Sequence, residues 1–548
     1  MTLTRSPTRR TQPAHILVIP YEAWGHVRPL LHLTIQLLTL HPNLHVSLLL
    51  SPSVAPRVSK ELASSAHAHT RTAKGTILDR LQQIQVKTND AKDNAGAEGG
   101  NIAQDMGGKA AAYGGALAGY MVALYGDRLG EGVGLENKFR EIRPTCIIYD
   151  MFQSFVPEVV RETAAQLNGK MGDLALFGYF PCGPTATYHH FARDEDGGFL
   201  DKLNQTITEA EEKGEDPIPI IAPTPLGDRG ILKKLPGLPE MTDFELHPGA
   251  GASPCPPELA IGIAKTHNAA WAPNQTGILA TNVCEMELEA KEVLEEYMGR
   301  PFISLGFQYS EEIWNGEIAP PAEGDADGVA TMAFLDIMLE RRGERSVIFV
   351  SFGSTWFPVA RPDIVHNLLD TLLSTSTPFV FAYATELFDV PQDLIDKVKD
   401  AEFGLAVKIA PQVQVLNHPA VGFFVSHAGA NSLAESVLAG VPLVTIGFAA
   451  DQGEHAAILK KYNAGIDLKQ VKCFDGPGTP PKVLYDGTEF LGTEEAMKEE
   501  MVEMWAALKG DLGKGLYQGM AALRELCYKS CHEGGASRQA MLDLAEYW

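Results

Sequence analysis

Residues 409–455 read IAPQVQVLNHPAVGFFVSHAGANSLAESVLAGVPLVTIGFAADQGEH, and apolar runs alternate with polar turns along this stretch. An apolar run over 421–426 precedes a loop of small and polar residues over 427–432, and a helical pattern follows over 433–439. A second apolar run comes at 442–445. This alternation predicts parallel strands covered by helices, so the region belongs to an α/β domain.

The loop 427–432 is suited to an anionic group. The start of a helix leaves backbone N–H groups unpaired at the positive end of the helix dipole, which favours phosphate. Gly429 lets the backbone approach an anion closely, and the side chain of Asn431 or Ser432 is expected to cap the helix. Alone, such a loop is equally consistent with an ordinary connection between a strand and a helix.

Further polar residues follow the loop in a fixed order. Glu435 lies one turn into the predicted helix, where its carboxylate can accept hydrogen bonds from ribose hydroxyls. Asp451 and Gln452 come after the run 442–445, and residues just past strand ends line the ligand crevice of an open α/β sheet. The ordered set, more than any single member, predicts a pocket for a nucleotide sugar.

The same residues carry a resemblance to a known family. The stretch resembles the signature of the family 1 UDP-glycosyltransferases, which runs Ala-Pro-Gln, His-Cys-Gly-Trp-Asn-Ser, Glu, Pro and Asp-Gln. The matching positions are Ala410, Pro411, Gln412, His427, Gly429, Asn431, Ser432, Glu435, Pro442, Asp451 and Gln452. Upstream, 346–354 resembles the family's first C-terminal strand and its phosphate-contacting serine turn, here ending at Ser354, and 277–289 resembles the end of the N-terminal domain.

The resemblance implies a GT-B fold, an α/β architecture of two doubly wound Rossmann-like domains that face each other across a cleft. The expected segments are a disordered tail over 1–14, an acceptor-binding domain over 15–318, a linker over 319–330, a UDP-sugar-binding domain over 331–536 and a C-terminal helix over 537–548. In this family that helix returns to pack on the N-terminal domain. The linker assignment rests on its Pro, Gly and Ala content.

Two positions depart from the plant members of the family. Ile409 stands where they have a tryptophan that stacks on uracil, and Ala430 replaces the tryptophan of the loop. We therefore expect uracil to rest on an aliphatic face and on main-chain groups near Gln412. The departures are typical of a fungal or other non-plant branch.

Residues 24–29, WGHVRP, resemble the family's Gly-His-x-x-Pro turn, which carries its catalytic histidine. His26 follows the first predicted strand, and a neutral imidazole can accept a proton at cellular pH. Asp150 ends the apolar run 146–150 and matches the family's carboxylate that orients this imidazole. The alternatives without a catalytic role are a structural histidine and an aspartate that caps the helical pattern beginning near 155.

The resemblance implies one in-line displacement that inverts the anomeric carbon, so that a UDP-α-sugar yields a β-glycoside. The departing diphosphate would be stabilised by Ser354, His427 and the N–H groups around Asn431 and Ser432. No cofactor and no metal are expected. The triplet 325–327, Asp-Ala-Asp, lies in the predicted linker rather than after a strand, which disfavours metal ligation.

The sugar hydroxyls would be held by Asp451 and Gln452. The family associates glutamine at this second position with glucose, which favours UDP-glucose as the donor. Gly453, Glu454 and His455 depart from the plant pattern that follows this pair.

Composition limits the classes of partner and the compartment. The net charge of -24 and a pI near 5.1 oppose a nucleic-acid partner, because such affinity comes largely from Lys and Arg. The seven cysteines are scattered and give neither a disulfide framework nor a metal-binding spacing. We expect a monomer in the reducing cytoplasm.

Two segments raise the question of targeting or membrane insertion. The tail 1–14 has three arginines and no acid, but no apolar core, so disorder is favoured over a short transit signal. The uncharged run 110–125 is shorter than the ~18 to 20 apolar residues that a bilayer requires. We interpret it as a buried helix or a cover over a pocket, and predict no integral membrane segment.

The acceptor is the least defined partner. Aromatic residues near the predicted substrate face indicate either an apolar pocket or ordinary core packing. They are Tyr113, Tyr120, Phe152, Phe155, Tyr179, Phe180 and Tyr188. We expect a hydrophobic small molecule with a hydroxyl, such as a phenol, polyketide or terpenoid. The alternatives are a catalytically silent nucleotide-sugar-binding partner protein and a sterol or lipid glycosyltransferase.

Overall fold

The computed structural model describes residues 13–64, 71–72, 75–86, 106–126, 139, 142–222, 230–253, 255–322, 324–385, 389–399, 401–473 and 482–548. The predicted tail over 1–14 lies outside these residues except at its last two positions. Ala14 already belongs to the first strand.

The N-terminal half contains one large parallel sheet. Its strands and those of two short hairpins are β1 (Ala14–Ile19), β2 (Leu44–Leu50), β3 (Arg71–Thr72), β4 (Gly75–Thr76), β5 (Leu81–Gln85), β6 (Cys146–Asp150), β7 (Ala175–Tyr179), β8 (Leu232–Lys233), β9 (Met241–Thr242), β10 (Gly277–Ala280) and β11 (Phe302–Ser304). The sheet has the order β11-β10-β7-β6-β1-β2-β5, while β3-β4 and β8-β9 are antiparallel pairs. The chain winds outward from β1 in one direction and then from β6 in the other, so the switch point of the sheet lies between these strands.

Helices lie between these strands or follow the last of them. They are α1 (Trp24–Leu40), α2 (Ala55–Ser64), α3 (Met106–Tyr125), α4 (Val156–Gln166), α5 (Pro184–Phe191), α6 (Leu200–Glu212), α7 (Ile218–Ile221), α8 (Asp243–Leu246), α9 (Pro257–Ala270), α10 (Leu288–Met298) and α11 (Glu311–Trp314). Short 3-10 helices lie at Leu78–Arg80, Asp194–Asp196 and Cys284–Met286.

The C-terminal half repeats the architecture with a second parallel sheet. Its strands are β12 (Val347–Ser351), β13 (Phe379–Ala382), β14 (Gly404–Val407), β15 (Val421–Ser426), β16 (Leu443–Thr445) and β17 (Gly465–Asp467). Its helices are α12 (Ala326–Arg342), α13 (Pro362–Ser374), α14 (Gln392–Lys399), α15 (Gln412–Leu416), α16 (Ala430–Ala439), α17 (Gln452–Lys461), α18 (Glu494–Ala507) and α19 (Asp511–Cys531). The order β14-β13-β12-β15-β16-β17 puts its switch point between β12 and β15.

The apolar runs of the sequence explain the central strands. All residues of β6 and β15 are buried, as expected for parallel strands covered on both faces. The predicted fold class, two doubly wound α/β domains of the GT-B type, is confirmed.

The C-terminal helix α20 (Ala536–Asp543), followed by a 3-10 turn at Leu544–Glu546, packs on the N-terminal domain. Met541, Leu544 and Trp548 are buried in the same core cluster as β1 and α1. The Nε2 atom of His41 lies 3.0 Å from the carbonyl oxygen of Met541. Packing of apolar side chains therefore fastens the end of the chain to the first domain.

A second segment crosses in the opposite direction. The N–H of Gly249 donates to the Phe448 carbonyl at 3.0 Å, and the N–H of Ala360 donates to the Ala252 carbonyl at 3.0 Å. Ala252 belongs to the core cluster of the C-terminal domain. Each domain thus holds a piece of chain from the other, which fixes the two sheets relative to each other.

Two local predictions are wrong. Helix α16 begins at Ala430, with Gly429 at the N-cap and no side-chain capping bond, so neither Asn431 nor Ser432 caps it. The side chain of Asn431 instead donates to the opposite domain, as described below. The predicted linker 319–330 is also too long, because the Asp325 carboxylate accepts the N–H of Gly328 at 2.9 Å and starts α12 there.

The described part of the Ala/Gly-rich segment is a buried helix rather than an open cover. Tyr113, Leu117 and Tyr120 on α3 are buried in the N-terminal core. Among the residues described above, no helix combines the length and the apolar character needed to span a bilayer.

Candidate active site

His26 and Asp150 meet at the switch point of the N-terminal sheet. His26 lies in the first turn of α1, just after β1, and Asp150 is the last residue of the adjacent strand β6. The Nδ1–H of His26 donates to the Asp150 carboxylate at 2.9 Å, which leaves Nε2 as the acceptor nitrogen. The side chain of Asp150 is fully buried, while that of His26 is 20% exposed.

The surroundings of this pair favour a basic imidazole. The second oxygen of Asp150 accepts the N–H of Phe152 at 3.0 Å, and α4 starts only at Val156, so the carboxylate does not cap that helix. Burial lowers the pKa of His26, but the charge and hydrogen bond of Asp150 outweigh this effect and raise the pKa overall. The rings of Tyr21 and Phe152 contact the imidazole at centroid distances of 5.6 and 4.7 Å.

The predicted donor residues lie at the switch point of the C-terminal sheet. Ser354 follows β12, and His427 follows β15. The His427 imidazole is packed between two glycines, since a Cβ on Gly429 would lie 2.5 Å from its Nε2 and a Cβ on Gly353 would lie 2.7 Å from its Cε1. Burial lowers the pKa of His427 to about 4, so the ring is neutral at cellular pH.

The loop before α16 contacts the turn that carries His26. The Nδ2 of Asn431 donates to the carbonyl oxygen of Gly25 at 2.9 Å. Ser432 is buried, and its hydroxyl accepts from Nε2 of Gln412 at 3.3 Å. The predicted phosphate loop and the predicted base are therefore adjacent across the cleft.

Glu435 has protein partners on both oxygens. Its Oε1 accepts from Nη1 of Arg28 at 2.6 Å and from the Tyr309 hydroxyl at 3.2 Å. Its Oε2 accepts from Nε2 of Gln412 at 2.7 Å. In this structure the carboxylate expected to bind ribose is paired with an arginine of the opposite domain.

Neither Arg28 nor Tyr309 was predicted as a site residue. Arg28 stands inside the WGHVRP turn, where only the histidine, glycine and proline matched the family pattern. A contact between residues 28 and 435 depends on how the domains face each other, and no spacing within one domain indicates it.

The predicted sugar-binding pair begins α17. Asp451 is buried, and its Oδ2 lies 3.6 Å from Sγ of Cys182, which donates, and 3.5 Å from Nδ1 of His455. The side-chain oxygen of Gln452 accepts the N–H of Phe448 at 2.7 Å and that of Ala449 at 3.3 Å. Gln452 thus uses its oxygen to shape the loop before the helix.

Ile409, at the position of the plant tryptophan, has an exposed side chain, with 64% of its area accessible. It lies three residues before Gln412, which starts α15. The position therefore offers an exposed aliphatic surface beside the glutamine.

A buried cluster that sequence analysis missed lies behind Asp451. Nδ1 of His189 on α5 is 2.6 Å from Oε1 of Glu454 on α17, and both side chains are fully buried. The His189 ring stacks on that of His247 at 5.3 Å. Burial raises the pKa of Glu454 to about 7 and holds that of His189 well below its usual value. The departure at Glu454 from the plant pattern was the available signal.

The Asp325 and Asp327 carboxylates accept hydrogen bonds from backbone N–H groups. Asp325 caps α12, and Oδ2 of Asp327 accepts the N–H groups of Lys408 and Ile409 at 3.1 and 3.2 Å. Across the described ranges, no group of three His, Cys, Asp or Glu side chains is arranged to hold a metal. All seven cysteines lie in the described ranges and carry free thiols.

Most of the aromatic residues considered for an acceptor pocket belong to the core. Those that are buried are Tyr113, Tyr120, Tyr179, Phe180 and Tyr188. Phe155 is partly buried, and Phe152 is partly buried beside His26. Phe152 is thus the aromatic side chain of this set that contacts the predicted base.

Comparisons with known proteins point to one family of enzymes. Residues 333–473 match the family described as UDP-glucoronosyl and UDP-glucosyl transferase. The chain is 26% identical to the UDP-glycosyltransferase eriJ of Hericium erinaceus, over 84% of either chain. It is 25% identical to the indole-3-acetate beta-glucosyltransferase of Zea mays, over 83% of this chain and 85% of that one.

A solved structure has the same fold along nearly the whole chain. The UGT2 of Phytolacca americana, complexed with UDP-2fluoro-glucose and pterostilbene, superposes with a TM-score of 0.63 at 18% identity. The superposition covers 98% of this chain and all of the other.

Proposed function

Since the chain belongs to the UDP-glycosyltransferase family, enzymes that transfer a sugar from a UDP-sugar to a small-molecule acceptor, we propose that it glucosylates a hydroxyl of a hydrophobic small molecule with inversion. The Zea mays relative is a beta-glucosyltransferase, which supports glucose as the donor sugar and a β-linked product. Gln452 beside Asp451 supports the same donor.

His26 acts as the general base. Its Nε2 accepts the proton of the acceptor hydroxyl while the oxygen attacks the anomeric carbon. Asp150, bonded to Nδ1, holds the tautomer in which Nε2 has a free lone pair and stabilises the imidazolium that forms. A single displacement without an enzyme nucleophile inverts the anomeric centre.

The C-terminal domain stabilises the departing UDP. Hydrogen-bond donors around Asn431 and Ser432, with Ser354 and His427, face the negative charge that develops on the diphosphate. The N-terminus of α16 adds the positive end of its dipole to these donors. We therefore propose that the reaction proceeds without a metal, so that a chelator leaves the rate unchanged.

Three further sets of contacts position the donor. Glu435 accepts the ribose hydroxyls, and Asp451 and Gln452 hold the sugar hydroxyls. Uracil rests against Ile409 and the main chain near Gln412. The acceptor lies on the N-terminal side of the cleft, where Phe152 contacts His26.

The observation that best supports the proposal is the position of the His26–Asp150 pair, bonded at 2.9 Å. The pair lies next to the loop that suits a diphosphate, because Asn431 of that loop donates to the Gly25 carbonyl at 2.9 Å.

The test is a panel of phenols, polyketides and terpenoid alcohols incubated with UDP-glucose, UDP-galactose and UDP-glucuronate. Mass spectrometry should detect a hexoside formed preferentially from UDP-glucose. UDP-sugar binding without product from any acceptor would instead indicate a silent binding protein. Product from vesicle-embedded sterol alone would indicate a lipid glycosyltransferase.

A further inference from the structure

Arg28 lies between two carboxylates, one from each domain. Its Nη1 is 2.6 Å from Oε1 of Glu435, and its Nε is 3.5 Å from Oε1 of Glu61 on α2. The Glu435 side chain is 3% exposed and that of Arg28 is 26% exposed, so the pair is largely withdrawn from water. Removing one partner of an ion pair in such a place, without a replacement, costs free energy because it leaves a buried charge unpaired.

The proposed function requires that replacement. When ribose hydroxyls bind Glu435, they take lone pairs that Arg28 and Tyr309 occupy in this structure. The guanidinium then needs another anion close by. Glu61 is one candidate, but its Oε1 is already held by Nε2 of His32 at 2.9 Å, and this bond contributes most to lowering the pKa of Glu61 to about 2.

The stronger candidate is the donor itself. Arg28 lines a small cavity between the domains together with Thr281, Ala430 and Asn431. Ala430 and Asn431 form the start of α16, which receives the diphosphate in the proposed function. A guanidinium binds phosphate oxygens through two parallel N–H bonds, which a lysine cannot reproduce.

We propose that Arg28 is a donor-binding residue that exchanges Glu435 for the diphosphate when a UDP-sugar enters. The inference rests on the proposed function, because it uses Glu435 as the ribose site and α16 as the diphosphate site. Arg28 therefore opposes a nucleoside that presents ribose alone and favours a nucleotide that also presents a diphosphate. It is a specificity residue for the donor, two positions after the proposed base.

The test compares the affinities of uridine, UMP and UDP for the full-length protein by calorimetry. In Arg28→Met, UDP should bind about tenfold more weakly, as expected for the loss of a charge-assisted contact. Uridine should bind equally well or more tightly, because no arginine competes for Glu435. UMP should fall between the two.

Two further variants make the outcome specific. Arg341→Met removes a surface arginine, 57% exposed on α12, and should leave all three affinities unchanged. Arg28→Lys keeps the charge and should lose a smaller part of the UDP affinity than Arg28→Met. It also provides the test if the methionine variant does not fold. Equal weakening of uridine and UDP, or an unchanged UDP affinity in both Arg28 variants, would overturn the inference. Failure of the wild-type protein to bind UDP would overturn the proposed function instead.

Discussion

The side chain of Asn431, in the first turn of α16, donates to the carbonyl oxygen of Gly25 at 2.9 Å, one residue before His26. This bond joins the start of the proposed diphosphate-binding helix to the turn that carries the proposed base. The two switch points, each built by its own sheet, therefore face each other across the cleft. An acceptor hydroxyl activated on one side meets a leaving group stabilised on the other.

The packing of His427 predicts that a single methyl group disturbs the donor loop. Gly429→Ala places a Cβ 2.5 Å from Nε2 of His427, so the imidazole or the loop must move. We expect UDP affinity, measured by calorimetry, to fall at least about tenfold, because a displacement near 1 Å is costly at a preorganised site. Gly115→Ala on α3 is the control, since nothing lies within 4 Å of its added Cβ. Equal affinities in both variants would show that the loop does not need this packing.

The contact between Asp150 and His26 predicts a shift in the pH profile. Asp150 holds the pKa of His26 above its usual value despite burial, and the base must be neutral to act. In Asp150→Asn the acidic limb of kcat/KM should therefore move to lower pH, while the plateau falls about 10²–10⁴-fold. Asp370→Asn, which removes a surface carboxylate paired with Lys397, should leave the profile unchanged. A limb that stays in place in Asp150→Asn would remove the carboxylate from its orienting role.

The ribose assignment of Glu435 is tested with two nucleotides that differ only in their ribose hydroxyls. Glu435→Gln should weaken UDP binding about tenfold, since hydrogen bonds to a charged group are lost. The same variant should bind 2′,3′-dideoxy-UDP about as well as the wild type does. A parallel loss for both ligands would mean that Glu435 acts only through its contacts with Arg28, Tyr309 and Gln412.

The buried Glu454 predicts a pH-dependent stability. Burial raises the pKa of Glu454 to about 7 in the folded protein, above the value of ~4.3 expected in the unfolded chain. Between these values the folded state binds more protons at Glu454, so the contribution of this group to stability falls as pH rises from about 4.5 to about 7 and levels off above that.

Glu454→Gln should remove this contribution to the pH dependence. The contribution is a change in the free energy of unfolding on the order of 3 kcal/mol across the window. Denaturant unfolding at a series of pH values provides the measurement. Glu494→Gln, at a surface position 56% exposed, is the matched control and should keep the wild-type slope. An identical slope in both variants would contradict a protonated Glu454 below pH 7.

Much of the fold could be predicted from local pattern. The runs at β1, β2, β6, β7, β12, β13, β15 and β16 are apolar because these parallel strands are buried on both faces, so the sequence marks them clearly. Strands β11 and β17, with three residues each, carry little pattern of their own, whereas the equally short β16 was located by its place between the loop 427–432 and the Asp451–Gln452 pair. The start of α16 was misplaced because Asn431 is used across the cleft rather than as a cap.

The candidate site was predictable only where one domain supplies it. His26 follows β1, Asp150 ends the neighbouring strand β6, and the loop 427–432 is continuous, so each could be located from strand ends and motif. The Arg28–Glu435 and His189–Glu454 pairs join residues separated by 407 and 265 positions in different domains. Such contacts depend on the docking of two folded units, which no local spacing encodes.

The most direct test of the account is the single-turnover rate of glucoside formation by His26→Ala at saturating UDP-glucose, with UDP affinity measured on the same preparation. Removing the base should lower the rate about 10²–10⁴-fold while UDP binds as tightly as in the wild type. An unchanged rate, or a loss of rate fully explained by weaker UDP binding, would contradict the role of His26 in proton removal.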